Sequence, residues 1–206
     1  IKETVAHFAD EVPSPPGSLY VRPTHIGTEP AIGKAAVASS ESCFFVLTSP
    51  VGDYFAGGDK MLRLLLEDNG MRCAPHMGMI KSGGNYASAL GPTLEAKQKY
   101  QVDQILFCPN GDVQETGASN FLLIDDNEII TRDLDSSFLH GITRDSLLTL
   151  AQDMGMQVSE RRLPVDELLQ RCSKPGCEAA LSGTAAVLTS VGTFVHNGNE
   201  YPGGNG

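Results

Sequence analysis

The chain has 206 residues, 41% of them hydrophobic, enough to bury a core in one large domain or a domain and a half. Its net charge of −10, from 15 basic against 25 acidic side chains, is the wrong balance for a phosphate-backbone binder, so nucleic acid is not an expected partner. No apolar run reaches the ~18 residues of a membrane span and the opening residues do not read as a signal peptide, so no membrane partner is expected either.

In chain order, "VPSPPG" at 12–17 is a Pro-rich connector, and "SLYVRPTHIG" alternates like a strand until Pro23 interrupts its ladder. "SCFFVLTSPVG" is a second apolar strand, and the turn residues of "DYFAGGDK" place a linker at about 52–60. This divides the chain into 1–51, the end of a small domain, and 61–206, a larger one. "KMLRLLLEDNG" fits helix or strand by pattern alone. "NYASALGPTLEAKQKY" has helical spacing at Tyr86, Leu90 and Leu94 despite Pro92. Residues 103–133 read as three short strands joined by Asn110-Gly111 and Asp126-Asn127 turns. "TRDSLLTLAQDMGM" is an amphipathic helix with Leu147, Leu148, Leu150 and Ala151 apolar. "VDELLQRCS" is a shorter helix, and "EAALSGTAAVLTSVGTFVHNG" closes as strand, small-residue turn, strand. The five scattered cysteines form no CxxC and have no histidine at metal spacing, so reduced thiols of an intracellular protein and no metal are expected.

Four polar stretches carry candidate chemistry, and each also has a purely structural reading. In "MGMIKSGGNYASAL", Lys81 stands one residue before Gly83-Gly84 and five before Tyr86. It is either a solvated surface lysine or, within its apolar flank, a desolvated amine able to attack a carbonyl. Glu115 in "VQETGASNF" is either a solvent-facing strand acid or a carboxylate facing a ring nitrogen, with Asn120 fixing the loop around it. In "LHGITRDSLL", Thr143 is a plain helix cap, or Gly141, Ile142 and Thr143 present free N–H groups to a phosphate. "LSGTAAV" is a tight strand bend or a second cradle of small residues. Taken together, an amine, a ring-nitrogen acid, a tyrosine near the amine and two phosphate cradles are what pyridoxal 5'-phosphate requires.

"SLYVRP", "PVGDYF", "KSGGNYASAL", "ETGASNF", "LHGITRDSLL" and "SGTAAVLTSV" follow one another as in the branched-chain aminotransferases, and from about residue 18 onward the chain resembles that family. The resemblance implies an α/β fold-type IV pyridoxal phosphate enzyme, a small α/β domain joined to a larger pseudo-barrel domain. It implies reversible transfer of the amino group from leucine, isoleucine or valine to 2-oxoglutarate through a Schiff base on Lys81. The substrates would be branched-chain amino acids, their 2-oxo acids, glutamate and 2-oxoglutarate, and the full-length protein a homodimer. By position, Lys81 matches the catalytic lysine, Tyr86 the tyrosine on the ring oxygen and Glu115 the ring-nitrogen acid. Gly141, Ile142, Thr143 and Thr184 match phosphate contacts, and Gln104 a glutamine near the cofactor in the animal branch. Tyr20, Arg22, Tyr54 and Ala185 match residues that meet the substrate.

The chain departs from that pattern at His140, where proline is common, at Ala118, where animal members have threonine, and in lacking the CxxC thiol switch. The family's N-terminal segment, with its phosphate-binding arginine, and its C-terminal helical region are absent from this sequence, so the chain is expected to be a fragment. D-amino acid aminotransferase and aminodeoxychorismate lyase share the lysine and the acid and are the rival enzymes. A truncated, non-catalytic cofactor binder is the rival outside catalysis. Cytoplasm, mitochondrion and plastid are not distinguished.

Overall fold

Residues 62–66 read Leu-Arg-Leu-Leu-Leu, and such a run suits a strand covered on both faces. In the computed structural model, which describes residues 1–34, 36–52, 60–185 and 187–204, Leu62–Glu67 is indeed a strand. The chain divides into two compact units, Ile1–Asp59 and Lys60–Gly206.

In the first unit, helix α1 (Lys2–His7) precedes strands β1 (Ser18–Gly27) and β2 (Ser42–Val51), which pair antiparallel over ten residues. Pro23 does not end β1 as its sequence suggests; it sits in register opposite Val46. In a two-stranded sheet both strands are edges, and every second N–H points away from the partner, so a proline there takes nothing from the ladder. Alternation puts Tyr20 and Arg22 on one face. The Arg22 Nη2 donates to the Tyr20 hydroxyl at 3.1 Å, and its guanidinium stands 5.2 Å from the ring centroid. Residues 53–59 of the expected linker, Tyr54 among them, lie outside the described residues.

The second unit is built on a nine-stranded sheet. Its members are β3 (Leu62–Glu67), β4 (Gln104–Phe107), β5 (Glu115–Thr116), β6 (Asn120–Asp125), β7 (Glu128–Thr131), β8 (Gln157–Glu160), β9 (Cys177–Gly183), β10 (Val187–His196) and β11 (Asn199–Pro202). β3 runs parallel to both β4 and β10, and β9 pairs antiparallel with β6 and β10. The path β10–β3–β4–β5–β6–β9 therefore returns to β10 and closes the sheet into a barrel, which removes the edges of those six strands. Residues 103–133 supply four strands rather than three, because the two-residue β5 separates Asn110-Gly111 from β6.

Leu64, Leu106, Leu123, Ile130 and Phe194 are buried in the main core with Leu168 from helix α4 (Val165–Cys172). Each is worth roughly 1.5–3 kcal/mol of transfer free energy. Helix α2 (Gly83–Tyr100) covers one face through Ala89 and Ala96 against Ile105 and Phe107, and its small residues allow close approach. Helix α3 (Ile142–Asp153) packs Leu148 and Ala151 on Leu122 and Ile129. Leu150, expected on that face, is exposed instead. Cys172 at the end of α4 and Cys177 at the start of β9, both buried, bring their sulfurs to 3.7 Å as thiols on either side of an exposed turn.

Candidate active site

β5 is too short to be a conventional strand, and the tight turn after it explains why. The Thr116 Oγ1 accepts the N–H groups of Ala118 and Ser119 at 3.4 and 3.1 Å, and the Thr116 N–H donates to Ser119 O at 2.9 Å. Gly117 lets this turn lie against α2: a Cβ there would be 3.4 Å from the Ala89 Cβ and 4.0 Å from the Gln104 Oε1, which places Gln104 beneath the turn. The reversal pairs Glu115 with Asn120 and buries the acid to 2% exposure. Glu115 is therefore not a solvent-facing strand residue.

A buried carboxylate needs partners, and Glu115 has three. Its Oε1 accepts the Leu139 N–H at 3.0 Å and meets the Arg72 Nε at 3.0 Å, an ion contact off the line of the N–H bond. Its Oε2 accepts the Asn120 Nδ2 at 3.3 Å, and the same amide donates to Leu139 O at 2.8 Å. Burial pushes the Glu115 carboxyl up to about 7, against the pull of Arg72, the Leu139 N–H and Lys81. With its proton affinity raised toward neutrality, the acid is poised to take or hold a proton on a basic ring.

Lys81 is positioned by a turn held from inside. The Asn85 Nδ2 donates to Met77 O and Ile80 O at 2.7 and 2.8 Å, and Gly78 presses so close to the Ser137 backbone that a Cβ would lie 2.0 Å from it. α2 starts at once after Ser82, so Gly83 and Gly84 form its first turn. This puts Tyr86 beside the lysine, and the Lys81 Nζ donates to the Tyr86 hydroxyl at 2.7 Å. The amine is exposed, so the apolar run before it does not desolvate it. Behind the phenol, the Arg72 guanidinium lies 5.4 Å from the Tyr86 ring centroid. The Ser88 Oγ holds the Arg72 carbonyl at 2.5 Å.

Asn120 also ties in the start of α3. A Cβ on Gly141 would stand 2.1 Å from the Asn120 Oδ1, so only glycine fits. Gly141 itself caps the helix without a side-chain bond, and Thr143 lies inside the first turn rather than at the cap. The N–H groups of Ile142, Thr143 and Arg144 precede the first intrahelical bond, made by Asp145 to Gly141 O, and are oriented as an anion site. On the other side, Ser182 of β9 is in register with Asn120, and a Cβ on Gly183 would meet the Ser119 Oγ at 3.3 Å. The Ser182 Oγ is buried and has no hydrogen-bond partner among the described residues. Thr184 and Ala185, in the turn that follows, are exposed.

The second unit thus links Lys81 and Tyr86 through Arg72 to Glu115, and Glu115 through Asn120 to the Gly141 helix start and to Ser182, two residues before Thr184, while Gln104 lies beneath Gly117. Tyr20 and Arg22 belong to the first unit. Sequence reasoning missed Arg72, whose neighbours "MRCAP" carry no motif, and missed the Leu139 N–H and Asn85. The donors fit a small planar group with a basic ring nitrogen and a phosphate. The acid is held by three partners, the first N–H groups of α3 precede its first intrahelical bond, and the buried Ser182 hydroxyl lacks a partner among the described residues.

The model of the amino-transferase class IV family matches residues 1–192, and the chain belongs to that family. Among its relatives, a probable branched-chain-amino-acid aminotransferase of Streptomyces coelicolor is 40% identical over 190 residues, covering 89% of this chain and 51% of that protein. Branched-chain-amino-acid aminotransferase 2 of Bacillus subtilis is 37% identical over 202 residues, covering 95% and 54%. The chain spans about half the length of these curated relatives. The T.th. branched-chain amino acid aminotransferase, solved with pyridoxamine 5'-phosphate, superposes with a TM-score of 0.78 at 27% identity, covering all of this chain and 63% of that one. The Escherichia coli enzyme superposes at 0.74 with 26% identity, covering 91% and 60%.

Proposed function

We propose that the protein of which this chain is part is a branched-chain amino acid aminotransferase that uses pyridoxal 5'-phosphate, exchanging the amino group of leucine, isoleucine or valine with 2-oxoglutarate. The observation that carries the reading is the continuous line Lys81–Tyr86–Arg72–Glu115, which joins an exposed amine to a buried acid of near-neutral proton affinity. When bound, the cofactor supplies an electron sink for the bond broken at the substrate Cα.

The residues divide the work. The Lys81 Nζ, held by the Tyr86 hydroxyl, is placed to take the substrate Cα proton and to give it back to Cα in the reverse direction. Tyr86 fixes the ring oxygen. Glu115 keeps a proton on the ring nitrogen, and its three partners prevent it from turning away. The N–H groups of Ile142 and Thr143, with the Thr184 hydroxyl, would take the phosphate, and Gln104 would support the Gly117 turn beside the cofactor site. The loop at Thr184 and Ala185 meets the substrate carboxylate.

We assign Tyr20, Arg22 and Tyr54 to substrate recognition, with the Arg22 cation for the distal carboxylate of glutamate and its stem, with the rings, for leucine. In support, Arg22 is exposed, is held by Tyr20, and pairs with no carboxylate among the described residues. We also read 1–51 as the end of a small domain, 61–206 as most of a large one, and the whole protein as a homodimer. No helix among the described residues is long and apolar enough to cross a membrane.

Production of glutamate and 4-methyl-2-oxopentanoate from leucine and 2-oxoglutarate tests the reading. Arg22→Met should slow the half-reaction with glutamate far more than that with leucine, by about the 2–5 kcal/mol of a truncated charge pair. Equal losses in single-turnover measurements of the two would remove Arg22 from substrate recognition.

A further inference from the structure

We propose that Arg72 is a positioning residue for the reaction, a single buried guanidinium that holds Glu115 as a carboxylate and fixes the plane of Tyr86, so that the acid and the phenol are set by one group. The inference deepens the cofactor reading above and rests on it.

The geometry singles out Arg72. At 2% exposure it has lost its hydration, and among the described residues Glu115, itself 2% exposed, is its one carboxylate partner. Each ion is the other's compensation: a buried carboxylate or guanidinium left alone is strongly disfavoured. The remaining surroundings are weakly polar. The Nη1 meets the Cys73 sulfur at 3.8 Å and the guanidinium carbon stands over the Tyr86 ring, 5.4 Å from its centroid. The backbone of Arg72 is clamped by the Ser88 hydroxyl from α2, the helix that carries Tyr86, so the cation and the ring are referenced to the same element.

The chemistry requires a group of this shape. Glu115 has to be ionised to accept a ring N–H, yet burial works against ionisation; Arg72 is the nearest opposing charge, with the Leu139 N–H and the Lys81 cation adding to it. Tyr86 has to keep its hydroxyl at the Lys81 amine, and a cation over its ring restricts movement of the ring while leaving the hydroxyl to the amine. A lysine could replace the charge, but its compact ammonium lacks the breadth to meet Glu115 and stand over Tyr86 together.

The test uses protein without added cofactor, in which Glu115 is followed by carboxyl-carbon NMR, assigned with Glu115→Gln, and Tyr86 by near-ultraviolet circular dichroism, assigned with Tyr86→Phe. Arg72→Met should raise the Glu115 titration midpoint by more than one pH unit, a tenfold or greater gain in proton affinity, and remove the Tyr86 signal. Arg72→Lys should restore most of the titration and little of the signal. In protein loaded with pyridoxal phosphate, the acid limb of the rate–pH profile should move to higher pH in the same order. An unchanged Glu115 midpoint in folded Arg72→Met overturns the proposal. If that variant does not fold, Arg72→Lys decides it, and a wild-type Tyr86 signal and rate–pH profile in the lysine variant overturn it. Because the titration is read without cofactor, a site that takes no pyridoxal phosphate defeats the functional reading while leaving the coupling measurable. A bound cofactor with no coupling defeats only the role of Arg72.

Discussion

Glu115 and Lys81 belong to one constellation, but the first is 2% exposed and met by Arg72, Asn120 and Leu139 from separate segments, whereas the second is exposed and, among the described residues, hydrogen-bonded to Tyr86 alone. The acid is over-determined by the barrel and cannot move without disturbing several buried contacts. The lysine is aimed by a tight turn and a helix start, and its amine is free to change partner. A group that holds a proton in a fixed place gains from the first kind of environment, and a group that must form and exchange bonds gains from the second. The two therefore predict different consequences for substitution.

The largest effect should come from the exposed end. Lys81→Ala should lower turnover by about a thousandfold or more, within the range of a lost acid–base catalyst, while changing stability by less than about 0.5 kcal/mol. Turnover and urea unfolding on the same preparations check both halves. A loss of stability comparable to the loss of rate would mean that the lysine is as embedded as the acid.

At the buried end, stability itself should report the titration. Glu115 has its proton affinity raised from 4.5 to about 7 in the folded chain, so its contribution is fully present below about pH 4.5 and is lost as pH rises through about 7. The swing is about 3 kcal/mol. It is isolated as the difference in unfolding free energy between the wild type and Glu115→Gln across that window, because Asp103, Asp135 and Glu167, held below their usual range, contribute in the opposite sense at lower pH. A pH-independent difference would mean that the acid is solvated. The same substitution should slow removal of the Cα proton about ten- to a hundredfold.

A smaller effect sharpens the contrast within α3. Gly141→Ala forces a Cβ to 2.1 Å from the Asn120 Oδ1 and should cost about 1–3 kcal/mol, with the amide displaced from Glu115. Leu150→Ala, on an exposed position of the same helix, should change stability by less than about 0.5 kcal/mol. Equal losses in thermal unfolding would show that the Asn120–Gly141 contact is not tight.

What could be read from the sequence follows the same division. The lysine turn, the acid and both small-residue turns are local patterns of glycine, hydroxyl and charge, so they stand out in one dimension. β3 could not be assigned because burial on both faces erases the alternation that distinguishes strand from helix. Pro23 misled because its cost depends on which way its missing N–H would point, which only pairing decides. Arg72 was illegible because it acts through Glu115, forty-three positions away, and through the face of Tyr86, and neither contact leaves a spacing signature. Of the two readings left open for Lys81, the structure shows the exposed one, because Met79 and Ile80 beside it are themselves exposed and do not enclose the amine.

The central claim is that one exposed amine, aimed by Tyr86, is the reacting group. Incubation with pyridoxal 5'-phosphate, reduction with borohydride and peptide mapping test it most directly. The account predicts the pyridoxyl group on Lys81, with labelling there reduced in Tyr86→Phe and absent in Lys81→Ala. Modification of Lys60, Lys97 or Lys174 with Lys81 untouched in folded protein would contradict it.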